Sequence, residues 1–113
     1  MDQISLALIQ RALGGLSLRY DFLAQNIANA NTPDYRPVRV SFEERLTAAA
    51  ARGREAILRV EPEVSVDNNS DAGPMRLDLE LAAAAQTSMR YRALIDLLGR
   101  QFALVRAAAA AGR

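Results

Sequence analysis

Two pairs of carboxylates, Glu43 with Glu44 and Glu61 with Glu63, are the side chains whose type and spacing come closest to chemistry. Neighbouring acids can divide the work of general acid and base, or hold a divalent cation. Both tasks need further convergent groups, and the chain supplies none. It has no histidine and no cysteine, and its 14 basic residues are all arginine, so no serine or threonine has an imidazole or amine to activate it. Thiolate chemistry, disulfides and Cys/His zinc sites are excluded together, and there is no glycine-rich phosphate loop. The glutamates read as solvated surface groups. No catalytic, cofactor-binding or metal site is expected, and the chain is not read as an enzyme.

Composition narrows the class further. The 113 residues amount to about one domain's worth of chain, half of them apolar, with only 5% aromatic and abundant alanine. That balance suits long, thinly packed helices. With 13 acidic residues against the arginines the net charge is +1, far from the one-signed surface that grips nucleic acid. The first arginine comes at Arg11 and no apolar run reaches the ~18 residues of a membrane span. Neither a cleavable secretion signal nor direct membrane insertion is expected. Export by a route that reads an uncleaved N-terminus remains compatible.

The elements that would position anything are set by proline, which removes an amide donor and clashes with the preceding turn. All four prolines lie from Pro33 to Pro74, so two long helices, residues 3–31 and 77–111, flank an irregular insert at 32–76. In the first helix Leu6, Ile9, Leu13, Leu16, Tyr20, Leu23, Ile27 and Ala30 recur at alternating steps of three and four. In the last, Leu77, Leu81, Ala84, Ser88, Tyr91, Ile95, Leu98, Phe102, Val105 and Ala109 do the same. A sustained 3.5-residue repeat implies a left-handed coiled-coil partner. The spacing therefore predicts a mainly α fold in which the terminal helices form an antiparallel coiled-coil pair. Asp78 is suited to cap the last helix and Gly112 to stop it. Gly14 and Gly15 each cost ~1 kcal/mol in a helix interior, a loss that close packing must offset.

The insert carries fifteen of the charged residues. Ser41-Phe42-Glu43-Glu44 has capping-box spacing for a short helix from Phe42 to Arg52, with Gly53 as its stop. Ile57, Val60, Val64 and Val66 suggest a brief strand around Pro62, and residues 67–74 read as a loop. By contrast, the first thirty residues hold only Asp2, Arg11, Arg19 and Asp21 as charges, while Leu8, Ala12, Leu18 and Phe22 add apolar surface beyond the seam. A helix with so thin a charged face is usually surrounded, which in a chain this small implies neighbouring subunits.

The most individual stretch is Asn26-Ile27-Ala28-Asn29-Ala30-Asn31-Thr32-Pro33-Asp34-Tyr35. Asn26 and Asn29 lie one helical turn apart, where carboxamides can bond carbonyls at the helix end or a neighbouring backbone. Asn31 suits a left-handed cap, and Pro33 pushes Thr32 out of the helical region. On physics alone this is a well-made helix stop. It also resembles the N-terminal signature of the bacterial flagellar rod, hook and filament family of axial proteins, and within it the short proximal basal-body rod branch. Phe42 falls at the spacing of that branch, and Leu77-Asp78-Leu79-Glu80 and Tyr91-Arg92-Ala93-Leu94-Ile95-Asp96-Leu97-Leu98 resemble its C-terminal helix. The likeness spans roughly residues 4–46 and 77–107; between them the Asp67-Asn68-Asn69 element is set apart from Leu77 and the insert is short for the branch.

The resemblance implies a structural subunit of the flagellar rod, polymerising through its terminal helices to carry motor torque for flagellum-dependent motility. It implies export from the cytoplasm through the flagellar type III apparatus to a basal body in the periplasm. The implied partners are further copies of the chain, other rod proteins and ring-junction components at the rod base. Subunit contacts would fall on Leu13, Leu16, Tyr20, Leu23 and Ile27 with Tyr91, Ile95, Leu98, Phe102 and Val105, residues that could equally form the chain's own core. Asn26, Asn29, Asn31, Thr32, Pro33 and Tyr35 would form the turn that directs the insert away from the helix pair. A coiled-coil adaptor or export chaperone of the same system would carry the same seams, and would be told apart as a small closed oligomer in solution. A small enzyme would need a pocket with convergent polar groups.

Overall fold

Asp2 starts the first helix: its carboxylate accepts the Ser5 amide at 2.6 Å and satisfies one of the donors left free at a helix N-terminus. In the computed structural model, which describes residues 1–68 and 73–112, helix α1 (Gln3–Ala28) is followed by strand β1 (Val38–Ser41), helices α2 (Glu43–Ala50) and α3 (Arg54–Leu58), strand β2 (Glu63–Val66) and helix α4 (Leu77–Ala111). The spacing predicts helix to residue 31. Instead α1 closes at Asn29, whose amide bonds the carbonyls of Gln25 and Asn26. Asp34, rather than Asn31, adopts the left-handed conformation, with φ 62°.

The insert has more order than its sequence pattern conveys. Val38 pairs with Val66 and Val40 with Val64 in a two-stranded antiparallel sheet. β1 is too short to register as an alternating run. The strand expected around Pro62 begins after it, as a residue lacking an amide donor requires. The helix expected over 42–52 is present as α2, and a second short helix, α3, follows it and takes Ile57, which the pattern assigned to the strand. Gly53, at φ 104°, ends one run and opens α3, a backbone angle that side-chain-bearing residues resist. No capping box forms, because Ser41 is held in β1 opposite Glu63 and no side chain caps α2. The loop read over 67–74 lies partly outside the described residues.

The insert folds onto one side of α1. Leu16 and Ile57 are sealed from solvent, and Ala7, Val40, Phe42, Leu46 and Ala49 complete the core. Gly15 makes this approach possible: a Cβ there would run into the Phe42 ring, whereas one at Gly14 would meet nothing within 4 Å. On the other side α4 runs antiparallel to α1. Asn26 meets Glu80 at one end, and the Met1 ammonium donates to Gln101 at 3.1 Å at the other. The terminal helices thus form the antiparallel pair, with the small insert against it.

The two helices differ in length, 26 residues against 35. Level at one end, they cannot be level at the other, and residues 102–111 project ~15 Å beyond Met1 at 1.5 Å per residue. The chain is consequently long and thin, 63 Å by 27 Å by 14 Å, with a radius of gyration of 17.8 Å where a compact chain of this size has ~13 Å. The N-terminal position of α4 is Arg76 and carries no side-chain cap. Asp78 lies instead in the first turn, beside the positive end of the helix dipole, where the Arg76 guanidinium bonds it at 2.7 and 3.0 Å. Gly112 closes the helix. Among the described residues no helix is long and apolar enough to cross a membrane.

Candidate functional site

Asn26 is the centre of the turn. Its carboxamide has two donor and two acceptor positions, and all four are used. Nδ2 donates to the Val38 carbonyl at 3.0 Å and to Glu80 Oε2 at 3.2 Å. Oδ1 accepts from the Tyr35 hydroxyl and from the Val38 amide, each at 2.9 Å. One side chain therefore ties together the end of α1, the start of β1 and the first turn of α4. It is fully buried, and Glu80 beside it is nearly so. Glu80 keeps its charge compensated by Arg39 at 2.5 Å, as a buried carboxylate must. Arg39 does not stand out in the sequence, and Glu80 does so only within the Leu77-Asp78-Leu79-Glu80 stretch, whose resemblance says nothing of the bond to Asn26.

Asn29 acts locally: Nδ2 donates to the Gln25 carbonyl at 2.8 Å and Oδ1 accepts from the Thr32 hydroxyl at 3.0 Å. Asn31, Thr32 and Pro33 are exposed, and Tyr35 is partly buried through its bond to Asn26. The motif residues are thus brought together as a turn around Asn26 and Asn29, with Asn31 and Pro33 at its rim.

A second tie holds the insert. Arg19 bonds both oxygens of Glu43, at 2.5 and 2.7 Å, and the Val40 carbonyl, with its guanidinium 4.9 Å from the Phe42 ring centre. These bonds from Arg19 hold the Glu43 carboxyl well below its usual range, to about 2. Arg90 of α4 approaches the same carboxylate at 3.5 Å. Glu43 is therefore a structural clamp, and Glu44 does not share it. Glu63 bonds Arg45 at 3.0 Å, and Arg45 also bonds the Ser41 and Glu61 carbonyls. Each carboxylate pair has been drawn into different work. Among the described residues no group of three acidic side chains could hold a metal.

The candidate contact residues separate into two sets. Leu16 and Leu23 are buried within the chain, and Leu13, Ile27, Tyr91 and Leu98 are partly covered. Tyr20, Ile95, Phe102 and Val105 are exposed, Phe102 to 53% and Val105 to 62%. The cause is register. The covered side of α4 centres on the row Glu80, Ala84, Thr87, Tyr91, Leu94, Leu98 and Gln101, stepping by four and three, with Ala83 and Ser88 partly covered beside it. It shares Ala84, Tyr91 and Leu98 with the apolar seam but takes Glu80 and Gln101 in place of Leu81 and Phe102, and buries Thr87 more deeply than Ser88. Glu80 and Thr87 are the only fully buried residues of α4. The displaced apolar positions form a stripe, Leu81, Ile95 and Phe102, that the chain itself leaves uncovered. Counting apolar residues could not find the covered row, because its buried members are polar groups.

No family model matches the chain. It is 28% identical over 129 residues to the flagellar basal body rod protein FlgB of Salmonella typhimurium (strain LT2), a similarity that covers 89% of this chain and 91% of that protein.

Proposed function

We propose that this chain is a structural subunit of the bacterial flagellar basal-body rod, in its proximal part, which polymerises through α1 and α4 and transmits motor torque. The observation that carries this reading is α4 itself: 35 residues whose fully buried members are Glu80 and Thr87 alone, while Leu81, Ile95, Phe102 and Val105 face solvent. These side chains are 43–62% exposed in the single chain, so burying the remainder against neighbours is worth roughly 3–6 kcal/mol before ordering costs, a contribution that favours assembly. The likeness to FlgB along nearly the whole chain supports a rod as the polymer.

On this reading Tyr20, Ile95, Phe102 and Val105 make the subunit contacts, with Leu13, Ile27, Tyr91 and Leu98 at their margins and Leu16 and Leu23 shaping the interior. The Asn26 and Asn29 turn sets the angle at which the insert leaves the helix pair. The chain would leave the cytoplasm through the flagellar type III apparatus and meet other rod proteins and ring-junction components at the rod base. No bond is made or broken in this work.

The test is a strain lacking the gene. Loss of swimming, with basal bodies that carry rings but neither rod nor hook, and recovery of both on supplying the gene, is the expected result. Normal basal bodies in the deletion strain would refute the reading.

A further inference from the structure

We propose that the outer edge of β2 takes an added β-strand from another protein, an extended segment in which valine-like residues alternate with arginine or lysine. The site lies on the insert, apart from the contacts assigned to α1 and α4. Register shows which backbone groups are on offer. Asp67 donates its amide to the Pro37 carbonyl at 2.8 Å, so in the antiparallel ladder the bonded pairs are Arg39 with Ser65 and Ser41 with Glu63. The amides and carbonyls of Val38 and Val40 then point out of one edge of the sheet, and those of Val64 and Val66 out of the other. The β1 edge is closed by side chains: Asn26 bonds the Val38 amide and carbonyl, and Arg19 bonds the Val40 carbonyl. The β2 edge is open. Among the described residues nothing bonds the outward groups of Val64 and Val66.

Donors and acceptors repeating at every second residue are matched by another extended backbone, and the side chains say which kind. Val64 and Val66, 47% and 49% exposed, lie on one face of β2; Glu63, Ser65 and Asp67 lie on the other, with Glu61 exposed just before them. β1 is itself an example of a strand that suits this pattern. Its Val38 and Val40 lie opposite Val66 and Val64, and Arg39 between them reaches Asp67 at 4.0 Å. A strand of the same alternation on the open edge would cover the two valines and bring basic groups to the acidic face. Glu63 already bonds Arg45 through one oxygen, but a carboxylate has room for further donors, and the Glu61 carboxylate makes no ion pair among the described residues. Two copies of β2 do not suit each other. Paired antiparallel through Val64 and Val66, they would set Glu63 of each opposite Asp67 of the other, like charges that destabilise a sheet. β1 of a second copy is already paired on one edge and closed on the other, so the partner is a different chain.

The probe is a short synthetic peptide, capped at both ends, in which valine alternates with arginine; a second peptide of the same composition has its valines and arginines in separate blocks. Added to the full chain as dilute monomer, the alternating peptide should slow hydrogen exchange at the Val64 and Val66 amides about tenfold, while the block peptide leaves them unchanged. Val64→Pro removes an outward donor and keeps the ladder bonds to β1, which Glu63 and Ser65 make. Read at Val66, it should weaken binding about tenfold with an unchanged thermal melt. Should that variant fail to fold, Glu61→Arg, at an exposed position outside the ladder, decides by binding about threefold more weakly. Equal binding of the two peptides, undiminished binding to the folded variants, or no protection at ~1 mM peptide overturns the inference. So does protection of Val64 and Val66 that grows with the chain's own concentration in the absence of peptide, which would make a second copy the occupant. Each of these outcomes leaves the rod reading standing.

Discussion

Asn26 and Glu80, 54 residues apart in sequence, are joined by a buried hydrogen bond of 3.2 Å that fixes α4 against the end of α1. The bond is one of four made by a single carboxamide, and it sets the level from which α4 outruns α1. The projecting segment and the exposed stripe of α4 are both consequences of where this bond places the two helices. Residues buried within the chain thereby shape the surface it presents.

Asn26→Leu should destabilise the chain by at least ~3 kcal/mol, because the Glu80 carboxylate, the Tyr35 hydroxyl and the Val38 backbone lose partners at a buried site. Asn29→Leu, at a more open position, should cost about 1 kcal/mol and act chiefly on assembly. Denaturant titrations give the first comparison, and swimming assays of the Asn29→Leu strain give the second. Normal motility of that strain would remove the turn from the assembly role.

Neighbouring glycines should respond in opposite senses. Gly15→Ala forces the buried Phe42 ring aside and should lower stability by ~1–2 kcal/mol even after the gain in helix propensity. Gly14→Ala meets open space and should raise stability by ~0.5–1 kcal/mol. Thermal melts of the pair under one condition check the contrast.

Acid should loosen the insert. The folded pKa of Glu43 is depressed to about 2 from an ordinary 4.5, chiefly by its bonds from Arg19. The stabilisation is then present in full above about pH 5 and is lost as pH falls toward 2. With the side chain 41% exposed, solvent screening holds the effect to about 1 kcal/mol. Glu43→Gln should remove this part of the pH dependence and lower stability at pH 7; an unchanged acid limb in the variant would show that another group is responsible.

The projecting end of α4 should fray in dilute monomer and order on assembly. A segment without tertiary contacts holds its helix by propensity alone, which is marginal at this length. Hydrogen exchange of residues 102–111 should be within about tenfold of the unfolded rate at micromolar concentration and strongly slowed in polymer. Circular dichroism that gives a fully helical, cooperatively melting monomer at the same concentration would contradict this. Phe102→Ser with Val105→Ser should leave the insert core intact and abolish polymer.

The sequence by itself determined the two long helices, their 3.5-residue period and their antiparallel pairing around a proline-rich insert, because periodicity and helix breakers are local properties of the chain. It also carried the Asn26-to-Tyr35 motif. Tertiary structure alone decided which of two interleaved rows of α4 faces α1, since Glu80 is buried where the apolar seam places Leu81, and Thr87 is buried as well. It decided too that Arg19, Glu43, Arg39 and Glu80 hold the insert and the helix ends together. A charged side chain reads the same in sequence whether it meets water or a partner twenty residues away, and only the fold brings that partner within hydrogen-bonding distance.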